Sequence, residues 1–319
     1  MEYKSAFLNI YFGPLPPYFD FWAKSCVPNQ DNFHWYVYNN HISEKIEYND
    51  AVTIIPYDFD RLYNDIRNET EIKIPYEGKR IVCDCRVMIY ALREKHEDLS
   101  RYDFIGYNDL DMIYGEIKCF MPDNPYQYSM ISGNDGRPCG PFTLFNRKYI
   151  KNILMDDNIK NRMEKSFGDK IYNSDCYKDK FLEFAPVSGN NYKDKIANMI
   201  HFEHLDESED LLEISKKHAP VFCCSNPLQP TRTNRFNYRK SIAFWENGKL
   251  TVMDNRGHIK EGAFFHFSRF KSRSRFKINY TQPIRNNIDH SEKFGVYKYG
   301  IVRINSNFTK LKMMLTMLY

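Results

Sequence analysis

The sequence predicts an α/β fold with a mixed central sheet, extended toward the C-terminus by an α+β portion. Three observations carry this expectation. Short apolar runs alternate with amphipathic stretches through the first half of the chain. An acidic pair, Asp109 and Asp111, stands directly after one of those runs. The second half changes character, to a hairpin signal, further short strands and a closing helix. We divide the chain into 1–147 and 148–319, expected to pack as one unit.

Ala6 to Phe12 reads as a buried strand ending at Gly13, followed by the proline-rich turn Pro14 to Pro17. Phe19, Phe21 and Trp22 mark a short helix. Phe33 to Tyr38 and Val52 to Ile55 are the next strands, and Asp58 to Arg67 has the helical spacing of Leu62 and Ile66. Arg86 to Leu99 has one apolar face, with Asp84 placed to cap its start. Tyr102 to Tyr107 is a strand that runs into Asp109-Leu110-Asp111. Beyond it, Asn146 to Phe167 and Glu207 to Lys217 read as helices. Ser241 to Trp245 and Leu250 to Met253 form a hairpin with Asn247-Gly248 as its turn. Ala263 to Phe267 is one more strand. Phe308 to Tyr319 carries Leu311, Met314, Leu315 and Leu318 at helical spacing, a face suited to docking on the core or lying on a membrane. Docking is the favoured expectation.

The chain has 319 residues, 42% hydrophobic and 27% charged, an ordinary globular composition. Aromatic residues reach 16%, enough to fill a core and also to wall a sugar or base site. No CxxC pair occurs among the eight cysteines, which argues against a structural zinc site. The N-terminus does not resemble a signal peptide, and no apolar run approaches the roughly 20 residues of a membrane span. We therefore expect reduced thiols and a cytoplasmic protein, with the sequons at Asn68 and Asn307 as chance matches. The net charge of +4 is unevenly spread. Thr231 to Tyr319 holds 18 Lys and Arg against 5 Asp and Glu, whereas the remainder holds 27 against 36. A basic end on an acidic body suits a phosphate-bearing or membrane-surface partner, or is a solvated face.

Asp109 and Asp111 carry the chemistry. Carboxylates two apart on extended backbone project to one side, and such a pair attracts a hard divalent cation. A cation held there can hold a diphosphate and offset the charge that builds on it as a leaving group. In open α/β sheets ligands sit beyond the carboxyl ends of strands, where this pair lies. The flanking sequences, Tyr102 to Asn108 and Met112 to Gly115, are apolar in a way a solvated loop is not.

The stretch Tyr102 to Gly115 resembles the metal-binding segment of GT-A-type nucleotide-sugar glycosyltransferases. It is most similar to a group found in bacterial capsule and lipopolysaccharide gene clusters. Phe12-Gly13, the prolines after it, Trp22, Ser25 and Cys26 fit that group, as does Cys83-Asp84-Cys85-Arg86. The resemblance implies a single Rossmann-type GT-A domain that transfers a sugar from a nucleoside diphosphate, with a UDP-sugar as the first expectation. The acceptor would be a glycan or a lipid-linked oligosaccharide. Asp111 would ligate Mn2+ or Mg2+, and Asp109 would bind the metal through water or touch the donor. Asn9 and the backbone near Tyr11 and Phe12 would line the nucleotide pocket, and Asp84 and Arg86 would contact the donor. His266-Phe267-Ser268-Arg269-Phe270-Lys271 resembles the C-terminal segment in which a His completes the metal shell and a basic residue holds the diphosphate. Imidazole is a sound ligand for manganese. In the same group Gly133 to Phe142 would shape the sugar and acceptor site, or be a plain surface loop. Asp175 and Glu183 are the candidates for a catalytic base.

Two other readings stay open. The basic C-terminal third, with Arg232, Arg235, Arg269, Arg273 and Arg275 interleaved with Phe, could contact nucleic acid. The absence of a recognised motif and the acidic body argue against it, so no nucleic-acid partner is expected. A nucleotidyltransferase on a similar fold would also use an acidic pair for metals. The basic, partly amphipathic end gives the glycosyltransferase reading a peripheral membrane contact.

Overall fold

Continuous apolar runs in the first third make the inner strands of a sheet buried on both faces, which alternating strands could not do. The computed structural model describes residues 2–70, 93, 97–121, 124–127, 130–132, 142–147, 240–271, 275–279 and 293–318. In chain order the first half supplies β1 (Ser5–Ile10), α1 (Phe19–Cys26), β2 (Phe33–Asn39), β3 (Ile46–Asn49), β4 (Val52–Pro56) and α2 (Phe59–Thr70). It continues with β5 (Phe104–Asn108), β6 (Met112–Tyr114), β7 (Met130–Ser132) and β8 (Phe142–Asn146). Seven of these strands form one sheet in the order β3-β4-β2-β1-β5-β8-β7. Its inner four, β4, β2, β1 and β5, run parallel, and β3 and β8 join antiparallel on either side. The described chain is therefore mixed α/β, with sheets of mixed strand orientation.

The second half supplies β9 (Ser241–Glu246), β10 (Lys249–Asp254), β11 (Ile259–Glu261), β12 (Phe264–His266) and α3 (Ser268–Lys271). Then come β13 (Lys277–Asn279), β14 (Lys293–Tyr297), β15 (Gly300–Arg303) and α4 (Asn307–Leu318). Six of these strands form a second sheet, β11-β10-β9-β14-β15-β13. The β9–β10 hairpin turns on Asn247 and Gly248, both at positive φ (50° and 82°), as the tight turn between twisted strands requires.

Helix α1 lies between the two sheets and is buried on both sides. Phe19, Trp22, Ala23 and Cys26 recur at helical spacing and join the core of the first sheet. Phe21 joins the second core, its ring 5.0 Å from Phe294. Trp245 stacks on Phe294 and donates its indole N–H to the Tyr114 carbonyl at 2.9 Å, so a polar bond crosses the same seam. Burying each such side chain contributes about 1.5–3 kcal/mol.

Several expectations shift at their ends. β1 stops at Ile10: the Tyr11 N–H still reaches the Tyr38 carbonyl, but the Tyr11 and Gly13 carbonyls turn to the side-chain amide of Asn39 at the end of β2 (2.6 and 2.9 Å). Asn146 closes β8, paired with Phe104, and the helix expected from it begins one residue later, at Arg147. Leu99 begins a 3-10 turn, Leu99–Arg101, instead of ending the helix expected from Arg86. Most of that helix lies outside the described residues, although Arg93 within it is helical. The expected helices across 148–167 and 207–217 also lie outside them. α4 docks on the second sheet, with Met313 buried and Met314 of the expected face packed beside it. Met313 reaches Gly295, where a Cβ would collide with its thioether. Leu311 and Leu315 are half exposed. Cys26 and Cys119 are free thiols, the former buried, and no described helix is long and apolar enough to cross a membrane.

Two stability predictions follow from this packing. A Cβ at Gly106 would overlap the Thr143 carbonyl oxygen on β8. Gly106→Ala should cost at least about 2 kcal/mol in urea unfolding, because backbone cannot yield as a side chain can. An unchanged midpoint would show that β5 and β8 are not in this register. His34 is the second case. Its Nε2 lies 2.8 Å from Thr53 Oγ1, whose hydroxyl donates to Glu47. Burial, then the Arg101 charge, pushes its pKa down to about 4. The folded protein thus holds the ring neutral, and this stability is fully present above pH ~6.5 and lost as pH falls toward 4. The shift is worth up to about 3 kcal/mol. His34→Gln should lose about 2 kcal/mol less than the parent protein between pH 7 and 4.5. Parallel losses in the two proteins would contradict the assignment.

Candidate metal centre

The carboxyl edge of the first sheet is held by asparagines where the strand ladders end. Asn9 at the end of β1 accepts the Asn108 backbone N–H on its Oδ1 at 3.0 Å. Asn108 in turn donates its side-chain amide to the Asp109 carbonyl at 2.7 Å. Asn39 accepts the His41 N–H as well as holding Tyr11 and Gly13. The Gly13 N–H donates to Asn40 Oδ1 at 2.7 Å, and Gly13 itself adopts φ 113°, a conformation that favours glycine. Asn9, Asn39 and Asn108 are all buried.

Asp109-Leu110-Asp111 forms the bend between β5 and β6, not extended strand. Its two carboxylates nevertheless meet, because the far strand β12 lies antiparallel to β6 with His266 opposite Met112. The pairing continues one step, the Phe267 N–H donating to the Asp111 carbonyl at 3.0 Å. His266 Nε2 then lies 3.2 Å from Asp111 Oδ1 and 3.6 Å from Asp109 Oδ2. One ligand atom from each of the three residues lies within 4.8 Å of the others. Two carboxylates and an imidazole are a donor set suited to manganese or magnesium-like ions, with the imidazole favouring the former.

Lys271 completes the cluster. After Phe267 the chain makes the single helical turn α3, its Phe270 and Lys271 N–H groups bonding back to the Phe267 carbonyl. This turn returns the Lys271 ammonium to 2.8 Å from Asp111 Oδ2. Phe267 anchors the turn, buried with its ring 5.1 Å from Tyr18 and stacked on Phe276. Burial pushes the Asp111 carboxyl up, but His266 and Lys271 outweigh it and hold the carboxyl well below the usual range. Burial pulls the Lys271 ammonium down, but Asp111, Tyr18 and Asp109 hold it above its ordinary value. The buried Asp111 is therefore a carboxylate, with the Lys271 ammonium at one oxygen and the His266 ring at the other.

The residues that hold β6 and the chain just after it come from α1 and the 3-10 turn Val27–Asn29 that follows it. Ser25 Oγ accepts the Tyr114 N–H at 3.0 Å and donates to the Trp22 carbonyl at 2.7 Å. Asn29 donates to the Gly115 carbonyl and accepts the Ile117 N–H. Trp22, Ser25 and Cys26 are thus buried structural partners of the strand that follows Asp111.

Of the residues expected at the site, Asp109, Asp111, His266 and Lys271 converge, and Asn9 stands at the adjoining strand end. Tyr11 joins them: burial raises its pKa first, and Lys271 and Asp111 both act on its hydroxyl. Phe12 turns toward Tyr57 and Phe59. Asp84, Arg86, Asp175, Glu183 and most of Gly133 to Phe142 lie outside the described residues. Tyr18 is a site residue that sequence reading missed. Its hydroxyl is raised by burial and by Asp111, and it hydrogen-bonds Lys271. Its position after a proline turn carries no signal of that role; only the fold brings it to the cluster.

No curated protein and no solved structure matches the chain. Residues 7–299 match a family of unknown function, DUF6625, so nearly the whole described chain, the Asp109, Asp111 and His266 cluster included, falls within one family. The chain belongs to the DUF6625 family.

Proposed function

We propose that the chain is a metal-dependent glycosyltransferase of the GT-A type that moves a sugar from a nucleoside diphosphate, first a UDP-sugar, to a glycan or lipid-linked acceptor. One observation carries this reading: Asp109 and Asp111, together with His266 from far along the chain, present ligand atoms within 4.8 Å at the carboxyl end of a parallel strand. Those three residues would hold Mn2+ or Mg2+, which supplies the positive charge that a departing diphosphate requires. Lys271 is within reach of the same anion, and Tyr11 and Tyr18 offer hydroxyls and ring faces beside it.

Asp111→Ala should abolish the rise in melting temperature that Mn2+ with UDP gives the parent protein. It should also lower any sugar transfer about 100-fold or more. A screen of UDP, GDP, CDP and nucleoside triphosphates with Mn2+ should favour a diphosphate. Wild-type transfer by Asp111→Ala, or preference for a triphosphate, would count against this function.

The basic C-terminal end supports a peripheral contact with an anionic membrane. Leu311 and Leu315 stand half exposed on α4 beside Lys310 and Lys312, and Thr231 to Tyr319 carries the +13 balance. The full chain should float with anionic liposomes, and Leu311→Ser/Leu315→Ser should weaken flotation several-fold. Equal flotation of the two proteins would sink the idea.

A further inference from the structure

Lys271 stands where its charge opposes a metal ion. Its ammonium is 2.8 Å from Asp111 Oδ2, and the other oxygen of the same carboxylate faces His266 at 3.2 Å. Asp111 is 5% exposed, so the pair sits where water screens it poorly. Counting the charged groups, two carboxylates against one ammonium leave a single negative charge. A divalent cation among Asp109, Asp111 and His266 would turn this into a single positive charge in a largely buried site. Such a charge is costly unless an anion accompanies the metal.

We propose that Lys271 is a built-in competitor of the metal, which makes metal binding depend on a phosphate-bearing anion. In the metal-free protein the ammonium neutralises Asp111. When metal and a diphosphate arrive together, Lys271 exchanges its carboxylate partner for an anion oxygen. The local geometry suits this exchange. Lys271 is 40% exposed on the single turn α3, with Tyr18 beneath its ammonium at 5.9 Å and Tyr11 close by. Its head can move without leaving polar partners, whereas Asp111 and His266 are fixed by the β6–β12 pairing. Metal and anion are then coupled through one side chain, and linkage requires each to strengthen the other. The proposal rests on the metal site put forward above and adds to it an order of occupancy that the ligands alone do not imply.

The test measures free Mn2+ by its electron paramagnetic resonance signal during titration of the parent protein, Lys271→Met and Lys271→Arg, without any anion. Lys271→Met should bind Mn2+ about 5- to 150-fold more tightly than the parent, and Lys271→Arg should stay close to the parent. Thermal shifts with Mn2+, pyrophosphate and both supply the second measurement. In the parent protein the two together should raise the melting temperature by more than the sum of their separate effects. In Lys271→Met that excess should shrink, because only the direct attraction of metal and anion remains. The parent measurement stands even if Lys271→Met folds poorly. Equal or weaker Mn2+ binding by a folded Lys271→Met, or additive shifts in the parent, would overturn the coupling while leaving the metal site intact. Failure of every protein to bind Mn2+, with or without pyrophosphate, would overturn the site and the coupling together.

Discussion

The short antiparallel pairing of β6 with β12 is the constraint on which the site depends. It spans three residue pairs, Phe264 with Tyr114, Phe265 with Ile113 and His266 with Met112, and a further backbone bond from Phe267 to Asp111. A two-stranded ribbon of this length would not persist alone in water. It holds because both strands are buried and because each is tied to something larger. β6 is gripped by Ser25 and Asn29 from the α1 side, and by the Trp245 indole at Tyr114. β12 continues into Phe267, which is buried beside Tyr18. A one-residue slip in this register would turn His266 to the opposite face and take its imidazole away from both aspartates.

That dependence explains why the two sheets matter to the chemistry although neither contains the full ligand set. The first sheet ends β5 at Asn108 and delivers the Asp109–Asp111 bend at its carboxyl edge. The second sheet packs on α1 through Phe21, Phe294 and Trp245, and so fixes the distance at which β12 can approach. Close backbone contact finishes the placement: the Gly115 N–H donates to Ala263, and a side chain at Gly115 would strike the Gly262 carbonyl. The buried Asp111 carboxylate then needs polar partners, and the Lys271 ammonium and the His266 ring supply them.

Much of the first sheet was legible because its strands are local apolar runs. β1, β2, β4 and β5 follow from Ala6 to Phe12, Phe33 to Tyr38, Val52 to Ile55 and Tyr102 to Tyr107, and the Asn247-Gly248 hairpin follows from turn chemistry. The end of β1 did not follow, because the Asn39 side chain takes the carbonyls of Tyr11 and Gly13, and propensity does not register that. Asp109, Asp111, His266 and Lys271 were legible as residue types in a pattern, yet the reason first given for the aspartates was wrong in detail. They lie on a bend, and their meeting comes from the distant strand rather than from alternation along one. Tyr18 was not legible at all, since its link to Lys271 depends on where α3 turns. In α4 the helical period was right and Met314 of the expected face packs on the second sheet, but Met313 fills the room that Gly295 leaves, and Leu311 and Leu315 are exposed.

The central claim is that His266 and the two aspartates bind one ion, and the most direct measurement is electron spin-echo modulation of Mn2+ bound to the protein. An imidazole ligand gives the manganese signal a nitrogen coupling that shifts when histidine is labelled with nitrogen-15. We expect that coupling in the parent protein and its loss in His266→Ala, with some manganese still held by the aspartates. Bound manganese without nitrogen coupling, or with a coupling that His266→Ala leaves unchanged, would contradict the site.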